Sequence, residues 1–288
     1  MTEPKTYTLD VPGAVLHYDV REDTDSTEPV LLLIGSPMDA RGFATLAGFF
    51  PDRTVVTYDP RGAQRSIRTA DAGESTPDVH ADDLHRLIAE LGGGPVDIFA
   101  SSGGAVNALA LVAAHPTDVR TLVAHEPPAG QVLPDRERAL AAIRFISDLY
   151  QAKGSGAGMA AFIAAVGHQG EFPADYAVAP DPAQFGMPAE DDGSRDDVLL
   201  GQNLISCTHY EPDFDALRAA STRVVLAVGE ESAGTMAYRG GVAVAERLGT
   251  EAVVFPSNHG GFMGGEFGMP GKPEEFAAKL REVLAENA

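Results

Sequence analysis

The sequence predicts an α/β protein with a mostly parallel sheet flanked by helices, and three observations point to it. A continuous apolar run at residues 29–34 and short, largely apolar runs at 96–100, 120–125 and 222–228 are the mark of strands covered on both faces. Between them lie segments with apolar residues at helical spacing, the alternation of strand and crossover helix that a parallel sheet requires. Residues 131–217 break that alternation with helical and Pro/Asp-rich sequence, so they read as an insertion.

In chain order, residues 5–10 and 14–20 alternate around Pro12-Gly13 as an antiparallel hairpin. Residues 29–34 form a buried strand ending in the loop Gly35-Ser36-Pro37-Met38, followed by a short helix over 42–50. The next strand, 54–58, opens into Asp59-Pro60-Arg61-Gly62. A helix over 77–91 carries Val79, Leu84, Leu87, Ile88 and Leu91 at helical spacing and stops at Gly92-Gly93-Gly94. The strand 96–100 leads into a helix of small and aliphatic residues that Pro116 ends, and 120–125 is a further strand, opening into Glu126-Pro127-Pro128. Inside the insertion, helices are expected over 134–153, 156–166 and 196–207, with a Pro/Asp-rich loop over 170–195. Strands resume at 222–228 and 251–255 with a helix over 235–248 between them, and a helix over 273–286 closes the chain.

A length of 288 residues suits one large domain or a domain with an insertion. With 21 Lys and Arg against 42 Asp and Glu, the net charge of −21 repels phosphate backbones and anionic lipid headgroups, so neither nucleic acid nor a membrane is an expected partner. The opening residues show no basic stretch followed by an apolar run, and no segment approaches the roughly eighteen apolar residues of a membrane span. The expectation is a soluble, cytoplasmic protein. Its single cysteine, Cys207, has no partner for an intramolecular disulfide or a zinc site and reads as a small packing residue.

The chemistry is concentrated where the strand 96–100 turns into its helix, through Ala100-Ser101-Ser102-Gly103-Gly104. This is a small-x-Ser-x-Gly variant of the nucleophile elbow, in which small residues two before and two after the serine let strand and helix approach. Counting from Ala100 and Gly104 makes Ser102 the candidate nucleophile and leaves Ser101 without a chemical role. No Gly-Lys-Ser/Thr follows, so a phosphate-binding loop is the poorer reading. A serine hydroxyl needs a base, and the base needs a carboxylate to hold its tautomer. Of the eight histidines, His259 alone occupies the loop after the last strand, beside Gly260 and Gly261. The carboxylate has two sources. Glu126 follows a buried strand and is stiffened by Pro127-Pro128, whereas Glu230 and Glu231 follow the strand 222–228.

The elbow, the two strand-end turns, the insertion and the terminal Asn258-His259-Gly260-Gly261-Phe262 together resemble the α/β-hydrolase superfamily over nearly the whole chain. The resemblance implies an eight-stranded sheet with a helical lid inserted after the sixth strand. The core would be residues 1–130 and 218–288, and the lid 131–217. It also implies an oxyanion hole from the backbone N–H groups of Ser36 and Gly103. Ile34-Gly35 stands where a His-Gly is usual, and Ala100 where the first elbow glycine is usual, but neither change removes a backbone donor. Within the superfamily, the segment Thr121 to Pro128 is similar to the zearalenone lactonases, whose acid follows the sixth strand, and Glu126 matches that position.

The expected function is a cofactor-free serine hydrolase, with no metal, that opens a lactone or cleaves a carboxylic ester through an acyl-enzyme on Ser102. Glu126 and His259 complete its triad, and a zearalenone-type macrolactone is the sharpest substrate expectation. Apolar lid residues, Leu133, Met159 and Phe162 among them, are candidates for substrate contact. The expected partner is a small apolar ester or lactone, and a homo-oligomer stays open. Carbon–carbon bond hydrolysis, perhydrolysis and a non-catalytic ligand receptor of the same fold are the alternatives.

Overall fold

The computed structural model describes residues 3–286. Strands β1 (Lys5–Val11), β2 (Ala14–Arg21), β3 (Leu31–Ile34), β4 (Val55–Asp59), β5 (Ile67–Arg68), β6 (Val96–Ser101), β7 (Val119–His125), β8 (Arg223–Gly229) and β9 (Val253–Phe255) form one sheet. Its order is β1-β2-β4-β3-β6-β7-β8-β9, with β5 pairing on β2. The pairs β1–β2, β2–β4 and β2–β5 are antiparallel, and the pairings from β4 to β9 are parallel. The helices are α1 (Ala44–Gly48), α2 (Pro77–Glu90), α3 (Gly103–Ala114), α4 (Arg136–Val166), α5 (Leu204–Thr208), α6 (Phe214–Ala219), α7 (Met236–Leu248) and α8 (Pro273–Ala285).

Two consequences position the site. Because side chains alternate along a strand, the apolar runs feed both faces of the sheet. Leu32, Ile34, Ile98 and Ala100 pack with Leu84 and Leu87 of α2, Leu109 of α3 and Val244 of α7. Leu31, Leu33 and Phe99 pack on the other face with Leu46 of α1 and Phe276, Leu280 and Leu284 of α8. The register then aligns the strand ends: Ala100 pairs with Ile34 on one side and Ala124 on the other, and Ala124 pairs with Leu226. Ser36, Ser102 and Glu126 each lie two residues beyond those partners, so parallel pairing delivers all three to one edge of the sheet.

Several elements differ from the sequence reading. The sheet gains the two-residue β5, too short to show a pattern. The helix expected over 42–50 divides into a 3₁₀ turn, Ala40–Phe43, and α1. The helices expected over 134–153 and 156–166 meet as α4, broken at Gly154, whose φ of 84° lies outside the helical region. The helix expected over 196–207 is replaced by a π turn, Leu199–Asn203, running into α5. The last strand shortens to β9, at the sheet edge, where Val254 is exposed. Helix α6 was not expected, and its Phe214 and Leu217 pack with the sheet's own core. The segment between β7 and α6 has a separate apolar cluster, built from Leu133, Ile143, Ile146, Tyr150, Phe172 and Leu200 among others. No described helix is long and apolar enough to cross a membrane.

Candidate active site

Ser102 sits at the turn from β6 to α3 with φ 57° and ψ −127°, a conformation that a non-glycine residue adopts at a cost of about 1–3 kcal/mol. Close approach around it explains the neighbouring glycines. A Cβ on Gly103 would come within 2.4 Å of the Ser36 carbonyl oxygen, and one on Gly104 within 2.8 Å of the Gly35 Cα. The turn after β3 therefore lies directly against the start of α3. This places the backbones of Ser36 and Gly103 side by side, and both residues line the same cavity as Ser102. The Ser102 amide donates to the His125 carbonyl at 2.9 Å, which ties the elbow to the end of β7.

Glu126 is fully buried, also at positive φ, and both of its carboxylate oxygens are occupied. Oε2 lies 2.5 Å from His259 Nδ1, and Oε1 accepts the Gly229 N–H at 2.8 Å. Burial alone would raise its pKa, but the His259 hydrogen bond, the nearby His125 and His259 rings and the Gly229 amide outweigh burial and hold it at about 2. A buried carboxylate satisfied in this way stays ionised. It can therefore fix the Nδ1–H tautomer of His259 and stabilise the imidazolium.

Glu230 and Glu231, the rival carboxylates, point elsewhere. Their oxygens lie 3.3 and 2.7 Å from Lys272 Nζ, and the two side chains are about half exposed. Glu231 also lines the cavity.

His259 and Ser102 face a common, mostly apolar cavity of about 690 Å³. Ile143, Phe162, Phe172, Leu199, Leu204 and Met236 supply much of its wall. Of the three candidate contact residues, Phe162 lines it. Leu133 and Met159 do not: both pack in the apolar cluster of the inserted segment. The helical pattern around Met159 reported burial, and the cluster it joins includes Met236 and Ala243 of α7; Leu133 lies outside any helix, after the 3₁₀ turn Gly130–Val132. Cys207 is buried on the cavity wall, 4.0 Å from the Gly103 carbonyl oxygen, and burial pushes its thiol up to about 12, so it is held as an unreactive thiol.

The sequence reading missed three contributors. Gly229 donates its N–H to the second Glu126 oxygen, and its position at the end of β8 was the available signal. Asn203 reaches the Ser36 side chain from the π turn, a contact no local pattern announces. His125 adjoins Glu126 and His259. Its Nδ1 is 3.2 Å from Ser101 Oγ, its ring stacks near that of His259 at 5.9 Å, and Phe99, Phe255, Phe262 and Phe276 surround it. Burial lowers its pKa to about 4 against the opposing Glu126 charge, so it is neutral. Ser101 is thus a buried packing partner, while Ser102 faces the cavity.

Among the described residues, His85, His115 and Asp118 form the one group with metal-ligand atoms within 4.8 Å of one another. It lies before β7, at the opposite end of that strand from Glu126. The two rings stack at 3.8 Å with an interplanar angle of 7°, so their planes meet only far from both rings and their in-plane lone pairs do not converge on one point.

A family model described as alpha/beta hydrolase fold matches residues 28–146. The uncharacterized hydrolase YraK of Bacillus subtilis (strain 168) is 33% identical over 294 residues, which cover 96% of this chain and 95% of that protein. A thermophilic esterase from Thermogutta terrifontis superposes with a TM-score of 0.67 at 20% identity, over 98% of each chain. The carboxylesterase CesB of Bacillus subtilis gives 0.64 at 16% identity, over 99% of this chain and 92% of the other. An enol-lactonase from Burkholderia xenovorans LB400 gives 0.60 at 17% identity, over 97% and 100%. At such identities the likeness to solved structures speaks for the fold.

Proposed function

The chain belongs to the α/β-hydrolase superfamily, and from that premise we propose that it is a serine hydrolase of carboxylic esters and lactones, working without a cofactor. The observation that carries the reading is the short contact between the buried Glu126 and His259, with His259 and Ser102 on the wall of one apolar cavity.

His259 takes the Ser102 proton as the hydroxyl oxygen attacks the ester carbonyl carbon. The negative charge that develops on the carbonyl oxygen falls to the N–H groups of Ser36 and Gly103 at the start of α3. His259 then protonates the leaving alkoxide, and the acyl group stays on Ser102. Water, deprotonated by the same imidazole, releases the acid. A lactone passes through the same steps, and because its alcohol is tethered to the acyl group the product is one hydroxy acid.

Residues 131–217 act as a lid in this reading, and Phe162 is their expected contact with substrate. The cavity volume falls in the range of pockets that enclose drug-sized ligands. Its apolar wall favours a bulky, uncharged substrate, and a zearalenone-type macrolactone is the most specific candidate. The carboxylesterase and enol-lactonase of like fold act on the same bond type. The experiment is turnover of short p-nitrophenyl esters, γ-lactones and an aromatic macrolactone by the wild type and Ser102→Ala. Hydrolysis of esters or lactones that Ser102→Ala loses by several powers of ten is the expected result. A panel left untouched by the wild type would remove the proposal.

A further inference from the structure

We propose that the Ser36 hydroxyl is a third donor to the oxyanion, and that Asn203 of the inserted segment is the positioning residue that aims it. The inference rests on the serine-hydrolase reading above. Asn203 Nδ2 lies 2.6 Å from Ser36 Oγ, with the two residues 3% and 5% exposed. The contact joins two parts of the chain 167 residues apart, the π turn Leu199–Asn203 and the turn after β3. An amide N–H donates, so Ser36 Oγ accepts here and its own proton remains to be given elsewhere. Ser36 lines the cavity beside Gly103 and Ser102. Its backbone packs so closely on Gly103 that a methyl group there would meet the Ser36 carbonyl. Ser36 is therefore a residue of the wall beside the start of α3, where the oxyanion is proposed to form. A free serine rotor would spend part of its time pointing away, whereas a hydroxyl that accepts from Asn203 has its lone pair engaged and its proton turned from the amide. Asn203 also lines the cavity, and its Oδ1 has no protein partner. The oxyanion site is thus complete only with the inserted segment seated on the core.

Charge makes the test specific. Asp is close to Asn in shape but cannot donate, and it would accept the Ser36 proton and withdraw it from the oxyanion. With the best ester of the panel, Ser36→Ala is expected to lower kcat by about 10- to 100-fold with KM changed less than about threefold, since the contact is made to the transition state. Asn203→Ala is expected to lose about 10-fold and Asn203→Asp more than Asn203→Ala. In the Ser36→Ala background, Asn203→Ala should cost little further, because the two residues act as one unit. Ser36→Thr, which keeps the hydroxyl, should recover most of the loss. A Ser36→Ala enzyme with full kcat would overturn the proposal and leave the hydrolase reading intact, whereas a wild type inert to the whole panel would overturn both. Should Ser36→Ala fail to fold, the ranking of the Asn203 variants decides: Asp equal to or better than Ala contradicts a donor role.

Discussion

Two sets of carboxylates flank the His259 loop, and their surroundings could hardly differ more. Glu126, after β7, is sealed from water and spends one oxygen on His259 and the other on the Gly229 amide. Glu230 and Glu231, just beyond β8, are half exposed and share Lys272. Both sets stand at the carboxyl edge of the sheet, and from spacing alone both could serve the imidazole. A carboxylate in a dry, fully hydrogen-bonded setting acts on its partner with little screening. A half-exposed ion pair is worth about 1 kcal/mol or less.

The largest expected effect comes from breaking the buried side. Glu126→Gln should lower kcat/KM for ester hydrolysis by about 10³- to 10⁴-fold while the protein stays folded, as for loss of the orienting carboxylate in a serine triad. A loss under tenfold would mean that His259 does not depend on Glu126.

Gly229 joins the two sides: it ends β8, donates to Glu126 and precedes Glu230. A Cβ there would lie 2.7 Å from the Ser257 carbonyl oxygen and 3.1 Å from the Asn258 carbonyl carbon. Gly229→Ala should therefore push the His259 loop outward, costing about 1–3 kcal/mol of stability and about 10- to 100-fold in kcat. Denaturation and steady-state kinetics on the same preparation check both figures, and unchanged kinetics would show that the loop position is not critical.

Acid should sharpen the contrast further. His125 lies at about 4 in the fold against an ordinary 6.5, so its stabilising contribution is complete above about 6.5 and is lost as pH falls through about 4. Glu126 lies at about 2 against an ordinary 4.5, so its contribution is complete above about 4.5 and is lost as pH falls through about 2. Unfolding free energy measured by urea titration should therefore fall from neutral pH into acid, and Glu126→Gln should flatten the lower part of the decline. A stability that is level from pH 7 to 3 would contradict these shifts.

The smallest effects belong to the exposed side. Glu230→Gln and Glu231→Gln should each keep kcat/KM within about threefold of wild type, because Lys272 rather than His259 is their partner. If Glu231→Gln were instead the crippled variant, the acid would lie on the β8 loop and the likeness to lactonases at Glu126 would lose its basis.

Much of this arrangement could be read from sequence because it is enforced locally. The elbow admits only small residues around Ser102, so Ala100 and Gly104 locate the serine, and the apolar runs announce strands buried on both faces. The choice among carboxylates was not local. It depends on which strand end the His259 loop folds against, and Gly229 mediates that contact. Met159 shows a second limit: a helical stripe predicts burial but not the surface it is buried against, and here that surface is an apolar cluster with Leu133, Ile146 and Tyr150 rather than the cavity wall. Asn203 shows a third, since its link to Ser36 exists only through the packing of two distant segments.

The most direct measurement is to treat the protein with a fluorophosphonate and map the adduct by peptide mass spectrometry. A serine that is hydrogen-bonded inside the core should stay unmodified, and an activated one on the cavity wall should react. Stoichiometric labelling is expected at Ser102, abolished in Ser102→Ala, retained in Ser101→Ala and strongly slowed in Glu126→Gln. Labelling at Ser101, or none at all in a folded protein, would contradict it.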